Sequence, residues 1–292
     1  MKHRTAGVYP MQQIWSGTLK KMRVEATVPV TYWLRDGYYD SDERSDERQL
    51  NDFLGQPLQI RFTGQITCVY CGRQTNKSFG QGFCFPCFRA RAEADICIIK
   101  PEQCHYFDKD DPCRDEEFAQ RECFQPHILY LSLTSGLKVG ITRRKNMPSR
   151  WIDQGAVSAI PLAELPSRRE VGLVEHRLAE SFQDKTHWMR MLKEERPEAD
   201  LAGMADGLVG ILQDWGVEGV LPATERVEYV FVYPVQVYPT KVKSFNLDKN
   251  PLAGGQLLGI KGQYLIFDGG VINLRKYTGY AVEVSAGDGV PT

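Results

Sequence analysis

The sequence predicts an α+β protein built from several modules. Its 292 residues exceed the usual size of a single hydrophobic core. All eight cysteines lie between residues 68 and 123, so one segment differs in kind from the rest. Strand-like alternation occurs on both sides of this segment, and the helical patterns follow it. We therefore expect four regions, at residues 1–65, 66–127, 128–195 and 196–292.

The N-terminal region is predicted to be β structure. Residues 12–35 include an alternating stretch from Val24 to Trp33, and a second strand is expected from Pro57 to Gln65. The charged stretch between them, from Asp36 to Asp52, is typical of a solvated loop, and a loop of that length can also serve as a binding lid.

Two close pairs of cysteines open the next region. In a C-x2-C knuckle the chain turns back on itself, so that both thiolates face one metal ion, and a second knuckle completes a tetrahedron. Gly72 can adopt a positive φ in the first knuckle, and Pro86 stiffens the second. The spacing predicts a structural zinc site, the alternative being four buried thiols. The predicted ligands are Cys68, Cys71, Cys84 and Cys87.

Four further cysteines and two histidines follow at irregular spacing. Cysteines used only as core residues would be scattered along the chain, so this clustering indicates a second metal. A second zinc, an iron–sulfur cluster and unliganded thiols remain as alternatives. The candidate ligands are Cys97, Cys104, Cys113, Cys123, His105 and His127.

We expect neither a targeting signal nor a membrane-spanning segment. Residues Met1–Pro10 are basic without an apolar core, and no run reaches the ~18 apolar residues of a membrane span. We expect a cytoplasmic protein, in which thiols stay reduced and bind metal instead of forming disulfides. The net charge of −1 gives no global electrostatic argument for nucleic acid, so such a partner would need a local basic patch.

The third region begins with a predicted hairpin, Ile128–Leu133 and Leu137–Thr142. A short helix should follow, with Asn146 as its N-cap, Pro148 in its first turn and Gly155 at its end. A second helix is predicted from about Ser167 to Phe182. Its apolar stripe consists of Val174, Leu178 and Phe182.

These residues resemble the GIY-YIG nuclease family, in particular phage-type members whose second motif begins with Lys. The first motif is matched by Ile128-Leu129-Tyr130 and the second by Lys138-Val139-Gly140. The resemblance covers about residues 127–190 and implies a small α/β core. It further implies that Arg150 is the functional Arg of the first helix and Glu175 the metal-binding carboxylate of the second.

Phosphodiester hydrolysis would then use four residues. Glu175 would hold Mg²⁺, Arg150 would bind the phosphate, and Tyr130 or Lys138 would activate or position the attacking water. Each residue also has a purely structural interpretation: a core aromatic for Tyr130, a surface residue for Arg150, and an ion-paired carboxylate for Glu175.

The same region contains the local basic patch that nucleic acid would need. Five basic residues fall within thirteen positions, which suits a phosphate-sized footprint, and an ordinary solvated turn is the alternative. The predicted nucleic-acid-binding residues are Lys138, Arg143, Arg144, Lys145 and Arg150.

The last region should form a helix from Leu201 to Trp215, followed by short strands that close a small barrel. Strands are predicted at Tyr229–Val237, Lys241–Phe245, Gln256–Ile260, Gln263–Phe267, Val271–Leu274 and Tyr280–Val284. The N-terminal strands could complete this barrel, the alternative being two separate β units.

Taken as a whole, the chain also resembles an uncharacterised bacterial family defined as a domain of unknown function. In that family a similar cysteine-rich segment precedes the stretch that contains Gly136-Leu137-Lys138-Val139-Gly140. The sequence therefore predicts a zinc protein that interacts with nucleic acid, as a Mg²⁺-dependent phosphodiesterase or as an inactive descendant that only binds. The alternatives are a non-enzymatic zinc protein for partner recognition and an iron–sulfur redox or sensor protein.

Overall fold

A computed structural model describes residues 11–37, 46–181 and 187–287 of the chain. Three of the sequence predictions lie wholly or partly outside these residues: the basic stretch Met1–Pro10, part of the charged loop Asp36–Asp52, and Phe182 of the predicted apolar stripe.

Strands account for most of the regular structure. In chain order they are β1 Met11–Thr18, β2 Arg23–Glu25, β3 Thr31–Leu34, β4 Arg48–Gln49, β5 Pro57–Thr67, β6 Gln74–Thr75, β7 His127–Leu133, β8 Leu137–Arg143, β9 Ser158–Leu165, β10 Tyr229–Val230, β11 Leu252–Lys261, β12 Tyr264–Phe267, β13 Gly270–Asn273 and β14 Tyr280–Gly287.

The helices are shorter and lie mostly in the middle of the chain. They are α1 Phe85–Ala90, α2 Glu116–Phe118, α3 Ser149–Asp153, α4 Arg168–Ser181, α5 Trp188–Leu192 and α6 Leu201–Asp214. Helix α2 continues into a π-helical turn, Ala119–Cys123. Short 3-10 turns occupy Asn51–Phe53, Ala92–Ala94, Ile96–Ile98, Pro101–Gln103, Arg144–Asn146 and Leu274–Tyr277.

Contacts divide the chain into two units. The first takes in the described parts of Met1–Arg23, Thr31–Cys84 and Pro234–Thr292, and the second comprises Val24–Val30 and Phe85–Tyr233. Helices together with antiparallel sheets make the fold α+β, as predicted.

The first unit is built on a sheet that joins strands from both ends of the chain. Its order is β1-β14-β5-β11-β12-β13, with β6 paired to β5. The predicted barrel is wrong, because the described strands form an open sheet whose outer members β1 and β13 do not pair with each other. Of the strands assigned to the barrel, Lys241–Phe245 is not a regular strand, and Tyr229–Val230 belongs to the second unit.

Alternation along the strands buries one face of this sheet. Strand β14 buries every second residue from Tyr280 to Ala286, including Val284, which lies opposite the buried Ile60 of β5. A buried amide ties a loop to this core: Gln263 accepts a hydrogen bond from the Met22 amide at 2.7 Å and donates to the Met22 carbonyl at 3.3 Å. The pairing satisfies polar groups that would otherwise be buried without partners.

The second unit contains a four-stranded antiparallel sheet in the order β10-β9-β7-β8. Strand β7 lies inside the sheet and is buried along its whole length, which explains why most of its side chains are apolar. Because successive side chains point to opposite faces, Leu129 and Leu131 enter one apolar cluster, whereas Tyr130 faces the other side.

Helices α4 and α6 cover the leucine face of β7. Val171 and Leu178 of α4 join the cluster, as do Leu208 and Leu212 of α6. The side chain of Asp200 caps α6 by accepting a hydrogen bond from the amide of Gly203 at 2.9 Å.

The short helix α3 begins later than predicted. Its N-cap is Pro148, and Asn146 instead ends a preceding 3-10 turn, where its carbonyl accepts a hydrogen bond from the Ser149 hydroxyl at 2.9 Å. Gly155 follows the helix with a φ of 71°, in agreement with the predicted stop.

None of the helices in the described parts of the chain combines the length and apolar character that a membrane crossing requires.

Candidate metal centre and candidate active site

Two turns bring the first four cysteines together. Cys68 follows directly after β5, and the chain reverses at Gly72, whose φ is 70° and whose amide donates to the Cys68 carbonyl at 3.0 Å. Cys84 immediately precedes α1, and Cys87 lies within it. The sulfurs of all four cysteines lie within 4.8 Å of one another.

The spacing of these sulfurs suits a tetrahedral ion. A Zn–S bond of about 2.3 Å implies a separation of about 3.8 Å between two sulfurs of a tetrahedral site, and the Cys71 and Cys84 sulfurs are 3.8 Å apart. The four cysteines could therefore bind a metal ion such as zinc.

Local hydrogen bonds prepare one of these thiols for ionisation. Burial by itself would raise the pKa of Cys68, but hydrogen bonds from the backbone of Cys71, Cys84 and Tyr70 outweigh it and lower the pKa to about 7. Since the thiolate is the form that binds metal, this environment favours a ligand over an inert core thiol.

The other four cysteines surround a separate cavity in the second unit. They come from the turn Ile96–Ile98, the residue after Pro101–Gln103, a loop, and the π-helical turn, and all of them line one cavity of about 20 Å³. Burial raises the pKa of Cys97 to about 12 and that of Cys123 to about 11, and neighbouring cysteines add to both shifts. These four residues are Cys97, Cys104, Cys113 and Cys123.

The two histidines predicted beside these cysteines lie in different places. His105 is next to Asp95, with 3.4 Å between Nε2 and Oδ1, and its ligand atom lies within 4.8 Å of those of Asp95 and Cys97. His127 begins β7 and is buried, with Nδ1 2.7 Å from the Gln125 carbonyl. Burial lowers the pKa of His127 to about 4, and neither histidine lines the cavity.

Tyr130 of the first motif is fully buried. Its hydroxyl donates to Gln154 Oε1 at 2.8 Å and also hydrogen-bonds to the Arg150 side chain. Its ring packs edge-on against Trp151 at 5.6 Å between centroids. Burial raises the pKa of Tyr130 to about 12, so its hydroxyl stays protonated at neutral pH.

The glycine of the second motif provides the space for this tyrosine. Gly140 lies directly opposite Tyr130 in the β7–β8 pair, and a Cβ atom at Gly140 would lie 2.7 Å from the Tyr130 hydroxyl oxygen. The close approach explains a glycine at a buried strand position.

Glu175 lies on α4, half-buried, close enough to several charged groups to interact with them electrostatically. Burial raises its pKa, and Glu102 adds to the increase, whereas Lys138, Arg150 and Arg168 oppose it. Tyr130 interacts with both Arg150 and Glu175. The charge of Glu175 therefore interacts with those of Lys138 and Arg150, and the Tyr130 hydroxyl interacts with Arg150 and Glu175.

Acidic side chains engage most of the predicted basic patch. Arg143 forms an ion pair with Glu122, and Lys145 lies 3.5 Å from the same carboxylate. Arg144 pairs with Glu164. These contacts reduce the positive charge available to a phosphate backbone.

Comparison with known proteins identifies the family of this chain. A model of the family described as "Protein of unknown function (DUF2797)" matches residues 55–282. The chain belongs to this family. The DUF2797 match spans most of both units but names no reaction, and no curated protein or solved structure matches the chain.

Three residues near the candidate active site were not predicted from the sequence. Gln154 binds the Tyr130 hydroxyl, Glu102 lies beside Glu175, and Arg168 interacts with Glu175 as well as with Cys97 and Cys123. No local motif marks Gln154 or Glu102. Nothing in the sequence around Arg168 indicates that its side chain interacts with Cys97 and Cys123.

Proposed function

We propose that this DUF2797 chain binds nucleic acid and hydrolyses a phosphodiester bond at the site formed by Tyr130, Lys138, Arg150 and Glu175. The observation that carries the proposal is the electrostatic grouping of these residues, which come from both strands of a hairpin and two separate helices. A hairpin followed by an Arg helix and a Glu helix is also the order that the GIY-YIG resemblance implies.

The carboxylates of this site suit Mg²⁺. That ion usually takes one or two protein carboxylates and leaves its other positions to water and substrate phosphate, and Glu102 lies near Glu175. When bound, Mg²⁺ would supply charge neutralisation at the phosphate oxygens. Glu175 would hold it, with Glu102 as the second carboxylate.

Three side chains would bind and orient the phosphate and the water. Arg150 would bind the phosphate, and the buried Tyr130 hydroxyl would position Arg150 through their hydrogen bond. The raised pKa of Tyr130, about 12, favours this positioning role over that of a base. Lys138 is half-exposed beside Glu175 and would orient water or the phosphate.

The first cysteine cluster would hold zinc in a structural role. Four protein thiolates leave no open position for substrate, which is the arrangement of structural sites. Thiol ligands also require a reducing environment, which agrees with the cytoplasmic location expected from the sequence.

The test uses the full-length protein with labelled single-stranded, duplex and branched DNA and with RNA, in Mg²⁺ or Mn²⁺. Glu175→Gln should lower cleavage more than about 100-fold and keep binding, because the carboxylate serves the metal. Arg150→Ala should weaken both. Glu180→Gln, an exposed carboxylate on the same helix, is the matched control and should behave as wild type.

Two results would count against the proposal. Salt-sensitive binding without cleavage of any substrate would leave a binding protein and remove the catalytic assignment. Wild-type protein that neither binds nor cleaves at low salt, with its metal in place, would overturn the nucleic-acid function and favour partner recognition.

A further inference from the structure

We infer that Cys97, Cys104, Cys113 and Cys123 bind a second zinc ion, and that this centre holds the cysteine segment against helix α4. The inference is independent of the proposed hydrolysis, since it concerns a different set of ligands. It assigns one ligand set where the sequence left several alternatives.

The four cysteines line one cavity although they are distant in sequence. The four cysteines are separated by 6, 8 and 9 intervening residues and belong to different local structures, yet all of them line the same cavity of about 20 Å³. A space of this size accommodates about one water-sized sphere. Ala92, Phe118 and Ala119 supply apolar parts of its wall.

The segment around these cysteines has little regular structure and a small apolar core. Between residues 91 and 126 the regular structure consists of three-residue 3-10 turns and the short helix α2 with its π-helical extension. Large apolar side chains of this segment remain exposed, namely Ile96, Ile99 and Phe107. A segment that buries so little apolar surface needs another source of stability, and metal binding is the usual one when thiols are clustered.

Two sets of possible ligands lie in this segment. Asp95, Cys97 and His105 also lie within 4.8 Å of one another. The Asp95 carboxylate, however, already contacts Arg114 Nε at 3.2 Å and His105 Nε2 at 3.4 Å. His105 is not part of the cavity wall, whereas all four cysteines are. The sulfurs of the four cysteines do not all lie within 4.8 Å of one another, so binding zinc would draw them closer together around the cavity that they share. We take the four thiols as the ligand set because they line one space, whereas the Asp95 carboxylate is engaged by Arg114 and His105.

The cavity also borders the start of helix α4. Ser167 and Arg168, at the start of this helix, line the cavity together with the cysteines. Arg168 donates a hydrogen bond to the Ile98 carbonyl. Further along the helix, a Cβ atom at Gly172 would lie 2.4 Å from Pro101 Cβ, so the helix backbone touches the cysteine segment directly. Glu175 is one turn beyond this contact.

The experiment begins with metal content and thiol reactivity of the full chain. We expect two zinc equivalents in wild type, and protection of all eight cysteines from alkylation, mapped by peptide mass spectrometry against chelator-treated protein. Cys104→Ser should lose one equivalent and expose Cys97, Cys113 and Cys123 to alkylation. Cys71→Ser is the matched control, and it should lose one equivalent while those three stay protected.

Hydrogen exchange tests the link to the helix. Peptides from α4 should exchange at least about tenfold faster in Cys104→Ser than in wild type, and at the wild-type rate in Cys71→Ser. Equal rates in wild type and Cys104→Ser would refute the support of α4.

Three results would overturn the metal assignment. The first is that wild type holds only one zinc equivalent and that Cys104→Ser retains it. The second is that His105→Asn loses a zinc equivalent. The third is that the purified protein is coloured and contains iron and sulfide at these thiols. The wild-type zinc count and alkylation map decide the matter even if Cys104→Ser does not fold.

Discussion

Replacement of Gly140 by alanine tests the packing on which the candidate active site depends. The new Cβ would lie 2.7 Å from the Tyr130 hydroxyl oxygen and 2.8 Å from Cζ of the same ring. Carbon atoms in contact normally lie about 3.5–4.0 Å apart. The ring has little room to move away, because Tyr130 is fully buried and packs against Trp151.

The size of the effect follows from two contributions. Overpacking of a close-packed core costs about 1–3 kcal/mol, and loss of the hydrogen bond from Tyr130 to Gln154 adds about 1 kcal/mol. We therefore expect Gly140→Ala to lower the free energy of unfolding by about 2–4 kcal/mol. It should also disturb the Arg150 side chain, which hydrogen-bonds to the same hydroxyl.

Gly207→Ala is a matched control, for which we expect the free energy of unfolding to change in the opposite direction. It lies within α6, and a Cβ atom there would have no other atom within 4 Å. Gly207→Ala should raise the free energy of unfolding by about 0.5–1 kcal/mol through helix propensity alone.

Urea denaturation of the three proteins, analysed by linear extrapolation, measures both changes. If Gly140→Ala is as stable as wild type, or shifts in the same direction as Gly207→Ala, then Tyr130 is not confined as described.

Three further changes test other parts of the structure. Cys71→Ser should remove one metal equivalent from purified protein and lower its resistance to urea, whereas full metal content in the variant would exclude the first site. Trp151→Ala should lower the free energy of unfolding by about 3–5 kcal/mol, because the buried ring packs against Tyr130, Tyr229 and Phe231. Trp151→Phe should cost much less, and equal losses would contradict the packing argument. His127 is held neutral by burial, which lowers its pKa from 6.5 to about 4. The unfolded chain therefore binds the extra proton between these values, and the stability due to His127, present above pH 6.5, is lost as the pH falls toward 4. Relative to His127→Asn, wild type should lose about 3 kcal/mol over this range in urea titrations at several pH values, and parallel pH profiles of the two proteins would refute the buried neutral histidine.

Elements that depend on residues close together in the sequence were predicted well. The hairpin of β7 and β8 and the helix α6 agree with the structure to within a residue or two, because turn residues and apolar periodicity fix such elements locally. The close approach of Cys68, Cys71, Cys84 and Cys87 was likewise encoded in two short turns.

Features that depend on distant pairing were predicted poorly. Short alternating strands do not specify whether a sheet closes, so the barrel was expected where the sheet is open. Tyr229–Val230 was assigned to that barrel because it precedes the C-terminal strands, yet it pairs with β9 of the other unit. The ion pair between Arg143 and Glu122 was missed for the same reason, since sequence spacing does not show which carboxylate faces a basic residue.

The pairing of β1 with β14 has a consequence for how the protein is made. Trp15 lies beside Val284, so the sheet of the first unit needs strands from both ends of the chain. On the ribosome β1 is synthesised long before its partner β14, and residues 85–233, which form most of the second unit, can fold in the interval. Folding of that intervening stretch shortens the flexible loop that must close before the outer strands meet. Synthesis that stops before Tyr280 would leave β5 with an exposed edge, which makes nascent chains of this length prone to aggregate.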